Sequence, residues 1–183
     1  MANYAITNST AFGWGGVAKN LTTTYVTLCA VGVGSSVSAS GFPSGGAVSP
    51  YNPRRGKIYD ILVGTNATSP SDASLNWDMS RITSMLSSQV YTGALSSGSS
   101  IFAVDPADGL TAAWITSNTT TETSSMGANL WFVGVNARAS YRWVAAPGSE
   151  LVYPAVSSAG LGLRANSPSY ANTATGSILF TEQ

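Results

Sequence analysis

Leu75-Asn76-Trp77-Asp78-Met79-Ser80 alternates large apolar side chains with polar ones. A period of two marks an extended strand with one buried face, because successive side chains of a strand point to opposite sides. Leu75, Trp77 and Met79 therefore belong to a core, and Asp78 to a solvated outer face. Upstream, Lys57-Ile58-Tyr59-Asp60-Ile61-Leu62-Val63 is apolar almost throughout and reads as a strand buried on both sides. Tyr25 to Val33 is a further apolar run, and Tyr4-Ala5-Ile6-Thr7 opens the series. Downstream, Leu130 to Val135 and Ala139 to Val144 flank Asn136-Ala137-Arg138, which predicts a hairpin with a three-residue connection. In its second strand Tyr141 and Trp143 are expected to face inward and Ser140 and Arg142 outward. Shorter strands are expected around Glu150 to Val152, Leu161 to Arg164 and Ser177 to Phe180.

Clusters of Gly, Pro, Ser and Asn separate these runs, giving about eight to ten strands. Helical signal is confined to Asp105-Pro106-Ala107-Asp108, where an N-cap residue precedes a proline and Gly109 ends the pattern after a turn or two. The expected class is all-β, a sandwich or closed barrel. Gly32 to Pro53 stands apart, rich in Ser, Gly, Ala and Pro, with Val37, Phe42, Val48 and Tyr51 as its main apolar residues. That composition suits a flexible loop or an arm that orders on a neighbour, and the residues do not separate the two. Residues 1–56, strands plus this segment, are read as part of the same domain as the 57–183 sandwich core.

Only 9% of the 183 residues are charged, eight cations against eight anions. An ordinary soluble domain carries about 25%. Hydroxyls supply polarity instead, from 28 serines and 19 threonines. With no basic cluster of any extent, the chain lacks the electrostatic footprint for nucleic acid or anionic membranes. Near-zero net charge also removes repulsion between copies, which favours self-association. Cys29 is the single cysteine and sits in an apolar run, so it reads as a buried, inert thiol. The chain shows no secretory leader and no apolar stretch of membrane-spanning length, so it is expected to be soluble in the cytoplasm where it is made. On that expectation the four sequons at Asn8, Asn20, Asn66 and Asn118 have no role.

The chain has no histidine. Ser-His-Asp triads, Cys-His dyads, histidine zinc sites and the usual general base near neutral pH are thereby excluded. No nucleophile elbow or phosphate-binding loop occurs, and Gly32-Val33-Gly34 has Val37 where a dinucleotide fingerprint needs its third glycine. Asp105 to Gly109 lacks the ligand series of a calcium loop and fits a helix cap better. Carboxylates alone remain, and a glycosidase needs only two. Asp60 and Asp78, on strands expected to be neighbours, are the conceivable pair, against which Asp78 reads as a solvated residue. Neither an enzyme nor a cofactor is expected.

The basic residues are scattered except for Arg54, Arg55 and Lys57. With Phe42 and Tyr51 from the preceding segment, they form a candidate interface, and a solvated turn is the alternative. Arg138, Arg142 and Arg164 lie on or beside strands, where long side chains cover aromatic faces.

Several blocks together resemble the capsid decoration proteins of tailed bacteriophages, also called cement or auxiliary head proteins. They are Lys57 to Thr65, Leu75-Asn76-Trp77, Asp105 to Asp108, Arg138 to Glu150, Gly160 to Ala165, Ser167 to Tyr170 and Thr173 to Gly176, and they span roughly residues 57–182. The resemblance implies a jelly-roll-like β-sandwich on the virion surface that binds the major capsid protein, as a homo-oligomer for which a trimer suits the local threefold axes of a capsid. It carries over no contact residues. The alternative is a receptor- or glycan-binding β-sandwich of a phage tail or other surface structure, with Tyr51, Tyr91, Tyr153 or Tyr170 as loop anchors.

Overall fold

The alternation around Trp77 becomes a strand in one of two antiparallel sheets. The structure, a computed structural model, describes residues 3–8, 19–21, 23–33, 55–65, 72–84, 91–92, 100–103, 113–116, 125–156, 159–168 and 172–182. Thirteen strands occur among the described residues, against the eight to ten expected, and all regular structure there is strand. They are β1 (Asn3–Asn8), β2 (Lys19–Leu21), β3 (Val26–Val33), β4 (Gly56–Thr65), β5 (Ser74–Ser84), β6 (Tyr91–Thr92) and β7 (Ser100–Ala103). The rest are β8 (Ala113–Thr116), β9 (Ser125–Asn136), β10 (Tyr141–Val144), β11 (Leu151–Tyr153), β12 (Gly160–Asn166) and β13 (Asn172–Glu182). The short helix expected at Asp105 to Asp108 lies outside the described residues. So does the Gly32 to Pro53 segment after Val33, whose first two residues end β3.

The first sheet runs β10-β4-β13-β1-β7, with β11 extending the β10 edge along β4 and β2 pairing with β13. The second runs β6-β8-β3-β12-β5-β9. Setting aside the peripheral β2, β6, β7, β8 and β11, the sheets read β1-β13-β4-β10 and β3-β12-β5-β9. The last of these strands lies beside the first, the next-to-last beside the second, and consecutive strands cross between sheets everywhere except from β5 to β9. That strand order is a jelly roll, the double-sheet solution that wraps Greek keys around one core.

The core fills the space between the sheets. Ile58, Ile61 and Val63 of β4 and Ile178 and Phe180 of β13 meet Leu28 and Val31 of β3, Leu75, Trp77 and Met79 of β5, and Leu161 and Leu163 of β12. Full burial of each such side chain contributes about 1.5–3 kcal/mol. Two glycines let large neighbours in. A Cβ on Gly176 of β13 would stand 2.7 Å from Leu163 Cδ2, so the sheets approach closely there because that position is bare. Gly56 lies opposite Tyr153 in the β11–β4 ladder, and the tyrosine ring occupies the space a Cβ would take.

Three expectations need correction. Leu130 to Val135 and Ala139 to Val144 do not pair as a hairpin. β9 pairs with β5 in the second sheet and β10 with β4 in the first. Both strands carry apolar inner faces that bury against opposite sides of one core, which edge-to-edge pairing would not allow. Their link is still tight, with Ala137 buried and its N–H donating to the Ala73 carbonyl at 2.9 Å. β4 is not buried on both sides either, because Leu62 on its outer face is 45% exposed. Tyr153 is no surface anchor: it is fully buried, 6.2 Å from the Phe180 ring.

Candidate interaction surface

The two sheets differ on their outer faces, and that difference locates the surface. The outer face of the second sheet is closed at its centre. Asp78 and Ser80 are fully buried there, and Ala30 and Ile82 form a second small apolar cluster with Met126. Arg164 of β12 lies across this face. Its Nε and Nη2 donate to the two Asp78 carboxylate oxygens at 2.8 Å, and Nη2 also reaches Ser80 Oγ at 2.8 Å. The guanidinium stacks over the Tyr25 ring, 4.8 Å from its centroid. Asp78 is therefore not the solvated residue that alternation predicted. Burial, and then the nearby Asp78 charge, push the Tyr25 hydroxyl above its usual pKa.

Among the described residues, the outer face of the first sheet is open at β4 and β10. Leu62 of β4 lies opposite Arg142 of β10, and Asp60 opposite Val144. Leu179 of β13 faces the same way beside Asp60. Leu62 and Val144 are exposed, Val144 by 59%. Arg142 Nε bonds both carboxylate oxygens of Asp60, at 3.0 and 3.1 Å, and Nη2 bonds Oδ2. The aspartate is buried while the arginine side chain is 64% exposed, so the pair presents a fixed guanidinium to solvent between two apolar side chains. Arginine is enriched at protein interfaces, and here its guanidinium is held in place beside exposed apolar surface.

Where β9 and β10 border the gap between the sheets, aromatic rings close it. The Trp131 ring lies 6.2 Å from Tyr141 and 6.5 Å from Trp143. Trp131 and Trp143 pack on the core, Tyr141 is partly exposed at the rim, and Phe132 points away from the core, 57% exposed. Trp143 thus faces inward and Arg142 outward, as alternation predicted, whereas Tyr141, expected inward, is exposed at the edge of the core beside Trp131.

Of the candidate interface residues, Arg54, Phe42 and Tyr51 lie outside the described residues. Arg55 is exposed just before β4, and Lys57 is half-buried on the strand. Lys57 acts electrostatically on Glu150. The Glu150 carboxylate is held below the usual range mainly by hydrogen bonds from its own N–H and that of Gly148, with Lys57 adding a smaller effect. The loop tyrosines Tyr51 and Tyr170 are outside the described residues, and of Tyr91 only the backbone is described. The sequence reading missed Leu62, Val144 and Phe132. Their signal was present as apolar residues at outward positions of alternating strands.

Asp60 and Asp78 do not form a pair. They lie in different sheets, each bound by its own arginine, because β4 and β5 are consecutive in the chain but on opposite sides of the core. Among the described residues no three His, Cys, Asp or Glu side chains cluster as a metal site. Arg138 pairs with Asp72 at 3.1 Å on the exposed surface. Burial raises the Cys29 thiol to about 12, so at neutral pH it is a protonated core group. No protein family, curated protein or solved structure matches the chain. Function is therefore read from the molecule's own surface.

Proposed function

We propose that this protein is a non-enzymatic virion component that binds the outer surface of a phage capsid and stabilises it. Its partner is the major capsid protein, and it acts as a homo-oligomer. The observation that carries this reading is the outer face of the first sheet, where Leu62, Val144 and Leu179 surround the Arg142–Asp60 pair. The pair is neutral as a unit, so the face matches an uncharged surface and requires no acidic or basic target. The resemblance in strand blocks and the jelly-roll order agree with it. Stabilisation arises through avidity: several modest patches on one oligomer engage several sites of a rigid shell, and each bound patch raises the effective concentration of the next.

The test compares purified capsids with and without the protein. The bound protein should raise the temperature at which capsids open, and electron microscopy should place it on the head. An unchanged opening temperature, or density on the tail, removes this reading. Density on the tail together with binding on a glycan array would replace it with the adhesion function.

A further inference from the structure

The side of the sandwich where β9 and β10 lie carries two sheet edges, and they are treated differently. The edge of the first sheet is broken into two short strands, β10 with four residues and β11 with three. Between and after them come Pro147 and Pro154, and Glu150 adds charge. Short strands, prolines and charges are devices that keep an edge from pairing with another chain. The edge of the second sheet has none of the three. β9 runs for twelve residues, Ser125–Asn136, without a proline or a charged side chain. Its N-terminal half is bulged against β5, but from Trp131 to Asn136 the register is unbroken, Trp131 opposite Met79 through Asn136 opposite Ser74. Six regular residues make a strand of average length.

Among the described residues, no strand pairs with the other side of β9. The outward positions of this stretch, Phe132, Gly134 and Asn136, are all exposed. An unpaired strand side offers a row of N–H and C=O groups, so its natural occupant is another extended strand. We infer that the Trp131–Asn136 edge of β9 pairs antiparallel with the same edge of a second copy, joining the second sheets of two molecules across a two-fold axis. The occupant follows from charge and symmetry. The stretch holds no charge to repel its own copy, and the chain as a whole has a net charge of zero. An antiparallel pair of identical strands is self-complementary, as a two-fold interface requires. With the two-fold axis at Val133, Phe132 lies opposite Gly134 of the second copy, and the two Phe132 rings are diagonal neighbours on one face of the joined sheet, within reach of a cross-strand aromatic contact. The unit built this way is a dimer, where the resemblance implied a trimer, and its formation requires no capsid.

The experiment measures the mass of the isolated protein by light scattering and analytical ultracentrifugation from micromolar to millimolar concentration, together with backbone hydrogen exchange. Wild type should be dimeric, with amides in Trp131–Asn136 protected more strongly as dimer forms. Phe132→Lys places like charges across the axis and should weaken the dimer by about tenfold or more without lowering the monomer's melting temperature. Phe132→Thr, which keeps strand propensity, should weaken it in the same direction. Val144→Lys, on the other sheet, should leave it dimeric. A wild type that stays monomeric throughout, a trimer, a dimer insensitive to both Phe132 variants, or protection that maps away from β9 each overturns the inference.

Discussion

Arg164 of β12 holds Asp78 of β5 through two parallel hydrogen bonds, Nε to Oδ1 and Nη2 to Oδ2, each 2.8 Å long. Asp78 is fully buried, and 11% of the Arg164 side chain is exposed. A buried carboxylate without its partner is an uncompensated charge. Arg164→Met is therefore expected to destabilise the fold by about 3–5 kcal/mol in urea denaturation, and Asp78→Leu in the same chain to restore most of it. Equal loss in the single and double variants would show that packing rather than charge pairing sets the cost.

The approach of the sheets at Gly176 is testable in the same way. A methyl group there meets Leu163 Cδ2, so Gly176→Ala should cost about 1–3 kcal/mol through overpacking. Leu163→Ala removes the clash and leaves a cavity of its own, about 2–5 kcal/mol. In a double-mutant cycle the two costs should sum to more than the double variant shows. Strict additivity would mean that the backbone, not Leu163, limits the space.

Cys29 gives a pH dependence whose sign is determined by burial. Its pKa rises from near 9 to about 12 on folding, so the unfolded chain loses this proton first as pH increases. The thiol's contribution is complete below pH 9 and declines as pH rises toward 12. Stability measured against Cys29→Val, which fills the site and does not titrate, should show the wild type losing ground over that window alone. Native protein should also resist thiol reagents at neutral pH. A flat difference curve would mean that the folded thiol ionises as readily as the unfolded one.

Attachment and self-pairing can be separated. Val144→Lys and Leu62→Lys alter the open face of the first sheet at exposed positions, where substitutions usually change stability by less than about 0.5 kcal/mol. Both should reduce sedimentation with capsids while leaving the protein's own oligomeric state unchanged. Retained capsid binding in the double variant would move the docking surface elsewhere.

Much of the strand content was legible in the residues. Leu75, Trp77 and Met79 face the core as their alternation requires, and Cys29 is buried as its apolar surroundings imply. Tyr153 was misplaced because a single aromatic beside Pro154 reads as a loop residue. Only the bare Gly56 across the ladder gives its ring a place in the core. The interface candidates before β4 were chosen by charge, whereas the open face is marked by apolar residues at outward positions. Charge density is visible along a sequence, and an exposed face becomes visible only once its neighbours are known.

By itself the sequence determined the all-β class, the inward faces of its main strands and the absence of histidine. These follow from backbone geometry and residue type, which act locally. Tertiary structure alone decided that β9 and β10 enter different sheets, that Asp60 and Asp78 lie apart, and that the second sheet's outer face is closed at its centre while the first is open at β4 and β10. Alternation along a strand separates its two faces without specifying which partner lies beside the strand or whether anything covers the second face. Those outcomes depend on contacts between residues far apart in the chain, as when Arg164 reaches Asp78, 86 residues earlier, across the β12–β5 ladder.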